Sequence, residues 1–127
     1  MKTVLVVDDE FAIVDLLEAV LTETGYQVAT AANGRQGLER VAERRPDLVL
    51  VDVMMPILDG PGMVLAMRGI PALRDVPIIV MSAVSEAAVE KRIDGHAAFV
   101  QKPFRVSRVL ELVASVLGKG DSEAGGS

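Results

Sequence analysis

The sequence predicts an α/β fold, a parallel sheet with helices on both faces. Three observations carry the prediction. Thr3–Val7, Leu48–Val51 and Ile78–Met81 are continuous apolar runs of strand length, rich in β-branched residues. Strands buried on both faces read this way. Segments with apolar residues at three- and four-residue steps alternate with the runs, which is the order of strand–helix units in a parallel sheet. The polar residues Asp8, Asp9, Asp52, Ser82 and Lys102 all follow predicted strands. In a parallel sheet those ends share one edge, the edge at which α/β sheets bind ligands.

The bulk properties agree. At 127 residues the chain is one domain, long enough to bury a self-sufficient core. It is 50% apolar, which argues against disorder, and its net charge of −5 makes a nucleic-acid surface unexpected. Without cysteine it has neither disulfides nor thiolate metal sites. Its apolar runs fall far below the ~18 residues of a membrane span. Asp8 interrupts any signal-peptide pattern. A cytoplasmic protein is expected. At 3% aromatic residues with no Trp, stacking on bases or sugars is a poor fit.

In order along the chain, Thr3–Val7 is the first strand. The spacing of Ile13, Leu16, Leu17, Val20 and Leu21 predicts a helix over Phe11–Thr24, with Gly25 closing it. Tyr26–Ala31 is a weaker strand and Asn33-Gly34 a turn signal. A second helix is predicted over Gly34–Arg45, stopped by Pro46. The strand Leu48–Val51 delivers Asp52, and Pro56 ends that segment. Ile57–Pro61 reads as a loop and Gly62–Arg68 as a third helix. After Ile78–Met81, Ser85 can cap a fourth helix over Glu86–Ile93. That helix is weak, because Glu86 and Glu90 repel at i,i+4. Ala97–Gln101 is the last strand and Val106–Leu117 a strongly patterned fifth helix. Residues 1–118 form the domain, and 119–127, Gly/Ser-rich and acidic, a flexible tail.

Three carboxylates at one edge repel one another, and one Lys does not neutralise them. A hard divalent cation such as Mg2+ resolves such a cluster, or a raised pKa does. Cation plus Lys102 would make a positive pocket over Asp52. That pocket suits a phosphoryl group, whose transfer needs charge neutralisation and positioning above all. A carboxylate can accept the group, and Ser82 offers a hydroxyl to its oxygens. No His or Cys joins this edge by sequence, which excludes triad hydrolysis.

The chain resembles the receiver domain of response regulators in two-component signalling. The resemblance rests on Asp8-Asp9, Asp52, Met55-Pro56 with Asp59-Gly60, Ser82-Ala83 and Lys102-Pro103-Phe104, in that order, and covers about Lys2–Leu117. It implies a flavodoxin-like (βα)5 doubly wound sheet of strand order 2-1-3-4-5, an order that pattern alone does not provide. It implies Asp52 as phosphoacceptor, with Mg2+ held by Asp9, Asp52 and the Met54 backbone carbonyl and by Asp8 mainly through water. Lys102 and Ser82 would engage the phosphoryl oxygens, and Phe99 would be the switch aromatic. The donor would be a sensor histidine kinase or a histidine phosphotransfer protein. The output would be the face made by the fourth helix, fifth strand and fifth helix, acting on a downstream protein or a covalently linked output domain, with phosphorylation-dependent dimerisation open. Such a domain phosphorylates and slowly dephosphorylates itself; it is a switch, not an enzyme.

Two departures from the family pattern stand out. Ser82 to Lys102 is shorter than usual, within the weak fourth helix. Met54 and Val84 are apolar near the place of the attacking water, so a slow-decaying acyl phosphate is expected. Plainer readings exist for each residue. An acid pair can serve a helix dipole, Ser82 can end a strand, and Lys102-Pro103 can be a surface turn. Phe99 and the Met63/Met67 pair can be core, and the lone His96 reads as a solvated side chain. Three rival functions remain: an Asp-nucleophile phosphatase, which wants an acid where Met54 stands; a flavin module, whose phosphate Asp8-Asp9-Glu10 would repel; and a receiver-like interaction domain that works without phosphorylation.

Overall fold

The computed structural model describes the backbone of residues 1–126, with side chains to Gly118; over 119–126, where a flexible tail is expected, the backbone continues the fifth helix past its expected end at Leu117. The elements are β1 (Thr3–Val7), α1 (Phe11–Thr24), β2 (Gln27–Ala31), α2 (Gly34–Glu43), β3 (Leu48–Asp52), α3 (Gly60–Arg68), a 3-10 turn (Pro71–Leu73), β4 (Ile78–Ser82), α4 (Glu86–Glu90), β5 (Ala98–Gln101) and α5 (Val106–Gly126). All strand pairs are parallel, in the order β2-β1-β3-β4-β5. This is the flavodoxin-like arrangement.

Successive strand side chains point to opposite faces, so one apolar run feeds two cores. Val4, Val6, Leu48, Leu50, Ile79 and Met81 pack with Leu17 and Leu21 of α1 and Val109 and Val113 of α5. Leu5, Val7, Val49, Val51 and Val80 pack with Val41 of α2, Met63 and Met67 of α3 and Val89 of α4. The Met63/Met67 pair is core, as its spacing suggested. β1, β3 and β4 are buried along their whole length.

The differences from the expected boundaries have local causes. α3 begins at Gly60, inside the expected loop, because Asp59 caps it: its carboxylate accepts from Gly62 N at 2.9 Å. Pro61 is harmless there, since the first turn needs no N–H from it. α2 stops at Glu43, two residues before its expected end at Arg45, and its first turn is capped by Asn33. α4 has the expected Ser85 cap but ends at Glu90 instead of Ile93. Its like-charged Glu pair gives the helix little support of its own. The chain beyond it is held by side chains from elsewhere, as shown below. Gly25 closes α1 at φ 112°, as expected of a C′ glycine.

Two positions in the β3–α3 connection shape the site. Gly60 lies against the backbone of Asp52, where an added Cβ would stand 2.3 Å from the Asp52 carbonyl oxygen. Ile57 adopts φ 70°, a left-handed conformation that suits a β-branched residue badly, while its side chain is exposed. Gly60→Ala should therefore push the loop away from Asp52 and lower unfolding free energy by roughly 2 kcal/mol or more. Ile57→Asn, which relieves the left-handed strain and sacrifices no burial, should raise it by about 1 kcal/mol. Urea denaturation of the two variants against the wild type measures both.

Candidate functional site

The register of the sheet assembles the site. Val7 of β1 is level with Val51 of β3, so the next residues, Asp8 and Asp52, emerge side by side at the carboxyl edge. Asp52 is level with Met81, which places Ser82 one step beyond. Ser82 is level with Gln101, and the Lys102 amide donates to the Ser82 carbonyl at 2.7 Å. Residues far apart in the chain are thereby held by backbone, not by flexible loops.

The Lys102 ammonium lies 2.7 Å from Asp8 Oδ2, 2.8 Å from Glu10 Oε1 and 3.4 Å from Asp52 Oδ1. Asp8, Asp52 and Ser82 are buried, at 1%, 5% and 1% exposure; Asp9 is exposed. Each buried acid takes one backbone amide: Glu10 N donates to Asp8 Oδ1 at 2.9 Å, and Val53 N to Asp52 Oδ1 at 3.0 Å. The Ser82 hydroxyl accepts from Val84 N at 3.0 Å.

One carboxylate oxygen from each of Asp8, Asp9 and Asp52 lies within 4.8 Å of the others. Burial, and then the neighbouring charge of Asp8, push Asp52 up from 3.8 to about 6. Burial also raises Asp8, more than its hydrogen bond from Lys102 lowers it. Burial works against the charged form of Lys102, but the hydrogen bonds to Asp8 and Glu10 outweigh it and raise that group. The cluster is thus short of positive charge. Hard oxygen donors in this number and spacing fit Mg2+, which binds through a few carboxylates and keeps its other positions for water and phosphate oxygens.

Asp8, Asp9, Asp52, Ser82 and Lys102, singled out in the sequence, all meet at this edge. Phe99 lies off it, on β5, partly buried against the core that includes Val80 and Val89. Its ring meets His96 edge-on, with centroids 6.5 Å apart. The solvated reading of His96 is overturned: its side chain is 8% exposed and Nε2 lies 3.0 Å from Glu86 Oε2. Its position against Phe99, invisible in sequence, is the reason. Met54 and Val84 are exposed at the mouth of the site.

Sequence reasoning missed two contacts. Glu10 reaches Lys102 instead of capping α1; its place directly after Asp8-Asp9 was the available signal. Arg92 crosses to Asp59 Oδ2 at 2.7 Å, which no local pattern announces.

The profile of the response regulator receiver domain matches residues 4–114. The transcriptional regulatory protein PrrA of Mycobacterium tuberculosis is 38% identical over 125 residues, 95% of this chain and 52% of that protein. The chain spans about half the length of curated relatives of this kind. The chemotaxis protein CheY4 of Vibrio cholerae superposes with a TM-score of 0.87 at 30% identity, covering 92% of this chain and 99% of that one. The response regulator TrrA of Thermotoga maritima, solved in complex with Mg2+–BeF, has a TM-score of 0.81 at 33% identity, covering 92% and 100%. The fold and the edge residues define a receiver domain, and this chain belongs to the response regulator receiver family. No helix among the described residues is long and apolar enough to cross a membrane.

The raised Asp52 carboxyl has a sign that can be checked. The folded state binds this proton more tightly than the unfolded state does. Stability in Mg2+-free buffer should therefore fall as pH rises from about 4 through about 6. Asp52→Asn removes the charge and keeps the acceptor for Val53 N. It should be more stable than wild type by roughly 1–3 kcal/mol at pH 8, with the gain shrinking towards pH 4. Added Mg2+ should stabilise the wild type and narrow the gap. Thermal or urea unfolding across pH, with and without Mg2+, reads all three effects.

Proposed function

We propose that the chain is a phosphoacceptor switch that takes a phosphoryl group onto Asp52 from a phosphohistidine of a kinase or phosphotransfer protein. The observation that carries this reading is the convergence of Asp8, Asp9, Asp52, Ser82 and Lys102 on one strand edge with a deficit of positive charge. The similarity to TrrA, solved with Mg2+–BeF, supports it.

In the transfer, a carboxylate oxygen of Asp52 attacks phosphorus and a P–O bond forms. The P–N bond to the donor imidazole breaks, and that nitrogen keeps the electron pair and later takes a proton. Asp52 must be ionised to attack, and its shift to about 6 still leaves it mostly ionised at neutral pH. Asp9, Asp52 and the Met54 carbonyl would hold Mg2+, with Asp8 acting mainly through water. The ion supplies charge neutralisation on the phosphoryl oxygens. Lys102 sits already between Asp8 and Asp52 and needs only a small movement to pair with a phosphoryl oxygen. Ser82 bears its hydroxyl at the end of β4 and donates to another.

Inward movement of Ser82 draws on the β4–α4 connection and leaves room for Phe99 to reorient. The phosphorylated state then favours a second packing of the α4, β5 and α5 face. That face would signal to a downstream protein or a linked output domain, and is the surface for any phosphorylation-dependent dimer. With Met54 and Val84 apolar at the mouth, water is poorly held for attack, so the acyl phosphate decays slowly. The domain is a switch and not a turnover enzyme. Its setting is cytoplasmic, beside its kinase.

Intact mass after incubation with acetyl phosphate tests this. The wild type with Mg2+ should gain one phosphoryl group. Asp52→Asn, and the wild type in chelator, should gain none. Once donor is removed the adduct should outlast many seconds. No adduct under any condition would replace this reading with that of an interaction domain acting without phosphorylation.

A further inference from the structure

The short α4 leaves segment 91–97 without a helix of its own, and α3 takes hold of it at both ends. At the start of α3, Asp59 uses both carboxylate oxygens: Oδ1 caps the helix through Gly62 N at 2.9 Å, and Oδ2 receives Arg92 Nη2 at 2.7 Å. At the end of α3, Arg68 donates Nη1 to the Asp94 carbonyl and Nη2 to the Gly95 carbonyl, the latter at 3.2 Å. Arg92 Nη1 also stands 3.9 Å from Met54 Sδ. One guanidinium therefore touches the residue two places after Asp52 and the cap of the helix that follows.

The contact leads directly to the phosphoacceptor. Gly60, next to Asp59, donates its amide to the Val53 carbonyl at 3.0 Å and packs on the Asp52 backbone. The path Arg92–Asp59–Gly60–Asp52 contains one ion pair, and the rest is backbone. Arg92 and Asp59 are both partly exposed, and such a pair contributes little to stability. Its geometry is nonetheless well defined, because the cap already fixes Asp59 and the planar guanidinium has few ways to meet it. Downstream, the same segment carries His96, whose ring meets Phe99.

We propose that Arg92 is a positioning residue that makes segment 91–97 follow the β3–α3 loop, so that a phosphoryl group on Asp52 is sensed at His96 through Asp59 as well as through Ser82. This rests on the reading of Asp52 as the phosphoacceptor. Two links then join the site to the α4–β5 side of the molecule. One runs from Ser82 into the β4–α4 connection. The other is the Arg92 bridge, which stands in for the missing turns of α4.

His96 is the single histidine, so its imidazole proton resonance reports on the segment without labelling. The full chain, at fixed pH with Mg2+ and acetyl phosphate, is followed by that resonance and by intact mass, comparing samples at equal adduct. In the wild type the resonance should move as the adduct appears. In Arg92→Gln the adduct should still form, with a His96 shift reduced severalfold. Asp59→Asn, which keeps the α3 cap and loses the charge, should reproduce the loss, and Arg92→Lys should restore part of the shift. An undiminished shift in Arg92→Gln and Asp59→Asn would overturn the role of Arg92, as would a wild-type adduct with no shift at all. Absence of an adduct in the wild type would instead remove the phosphoacceptor reading on which the proposal stands.

Discussion

The structure depends on a conflict of charge. Asp8 and Asp52 are side by side because β1 and β3 are neighbours in register, and both are buried. Two carboxylates so placed destabilise one another and resist ionisation. Lys102 relieves part of the conflict, but it also serves Glu10 and stands farther from Asp52 than from either other acid. The fold tolerates the rest of the cost because the strands beneath are buried along their whole length. A site held in this state favours whatever brings positive charge, and after it a group that can exploit that charge.

The sheet is the rigid member and the connections are the adjustable ones. Asp8, Asp52, Ser82 and Lys102 all sit on or next to strand ends, where backbone hydrogen bonds fix them. Met54, Ile57, Asp59 and the segment after α4 sit on connections. The β3–α3 connection is tied at Gly60 to the strand and at Asp59 to α3 and Arg92. Change at Asp52 therefore has few directions in which to spread. It can pass through Ser82 into the β4–α4 connection, or through Asp59 into the segment that carries His96 and abuts Phe99.

The α4 region shows how local propensity and tertiary contact divide the work. Its helix is only five residues long and carries a repelling Glu pair. Val89 and Ile93 are nevertheless buried in the core shared with α3. The polar groups of the segment are taken up by Arg68, by Asp59 through Arg92, and by Glu86 through His96. Burial holds the segment down, and side chains of α3 and its cap replace the missing helical hydrogen bonds as its framework.

Much of this was legible in the chain itself. The apolar runs and helical spacings determined the five units, since burial on both faces demands continuous apolar strands. The shared edge of Asp8, Asp9, Asp52, Ser82 and Lys102 followed from the parallel direction of those strands. Only the tertiary structure decided the rest. The order β2-β1-β3-β4-β5 makes Asp8 and Asp52 neighbours, and no local pattern encodes which strands pair. Glu10 turned to Lys102 because a buried ammonium lay within reach, not because of its own helix. α3 started early because Asp59 found two partners. His96 became buried because Phe99 and Glu86 flank it, and α4 ended early because contacts from α3 hold the chain after it. These outcomes depend on residues far apart in sequence, and a single chain read from one end carries no direct record of them.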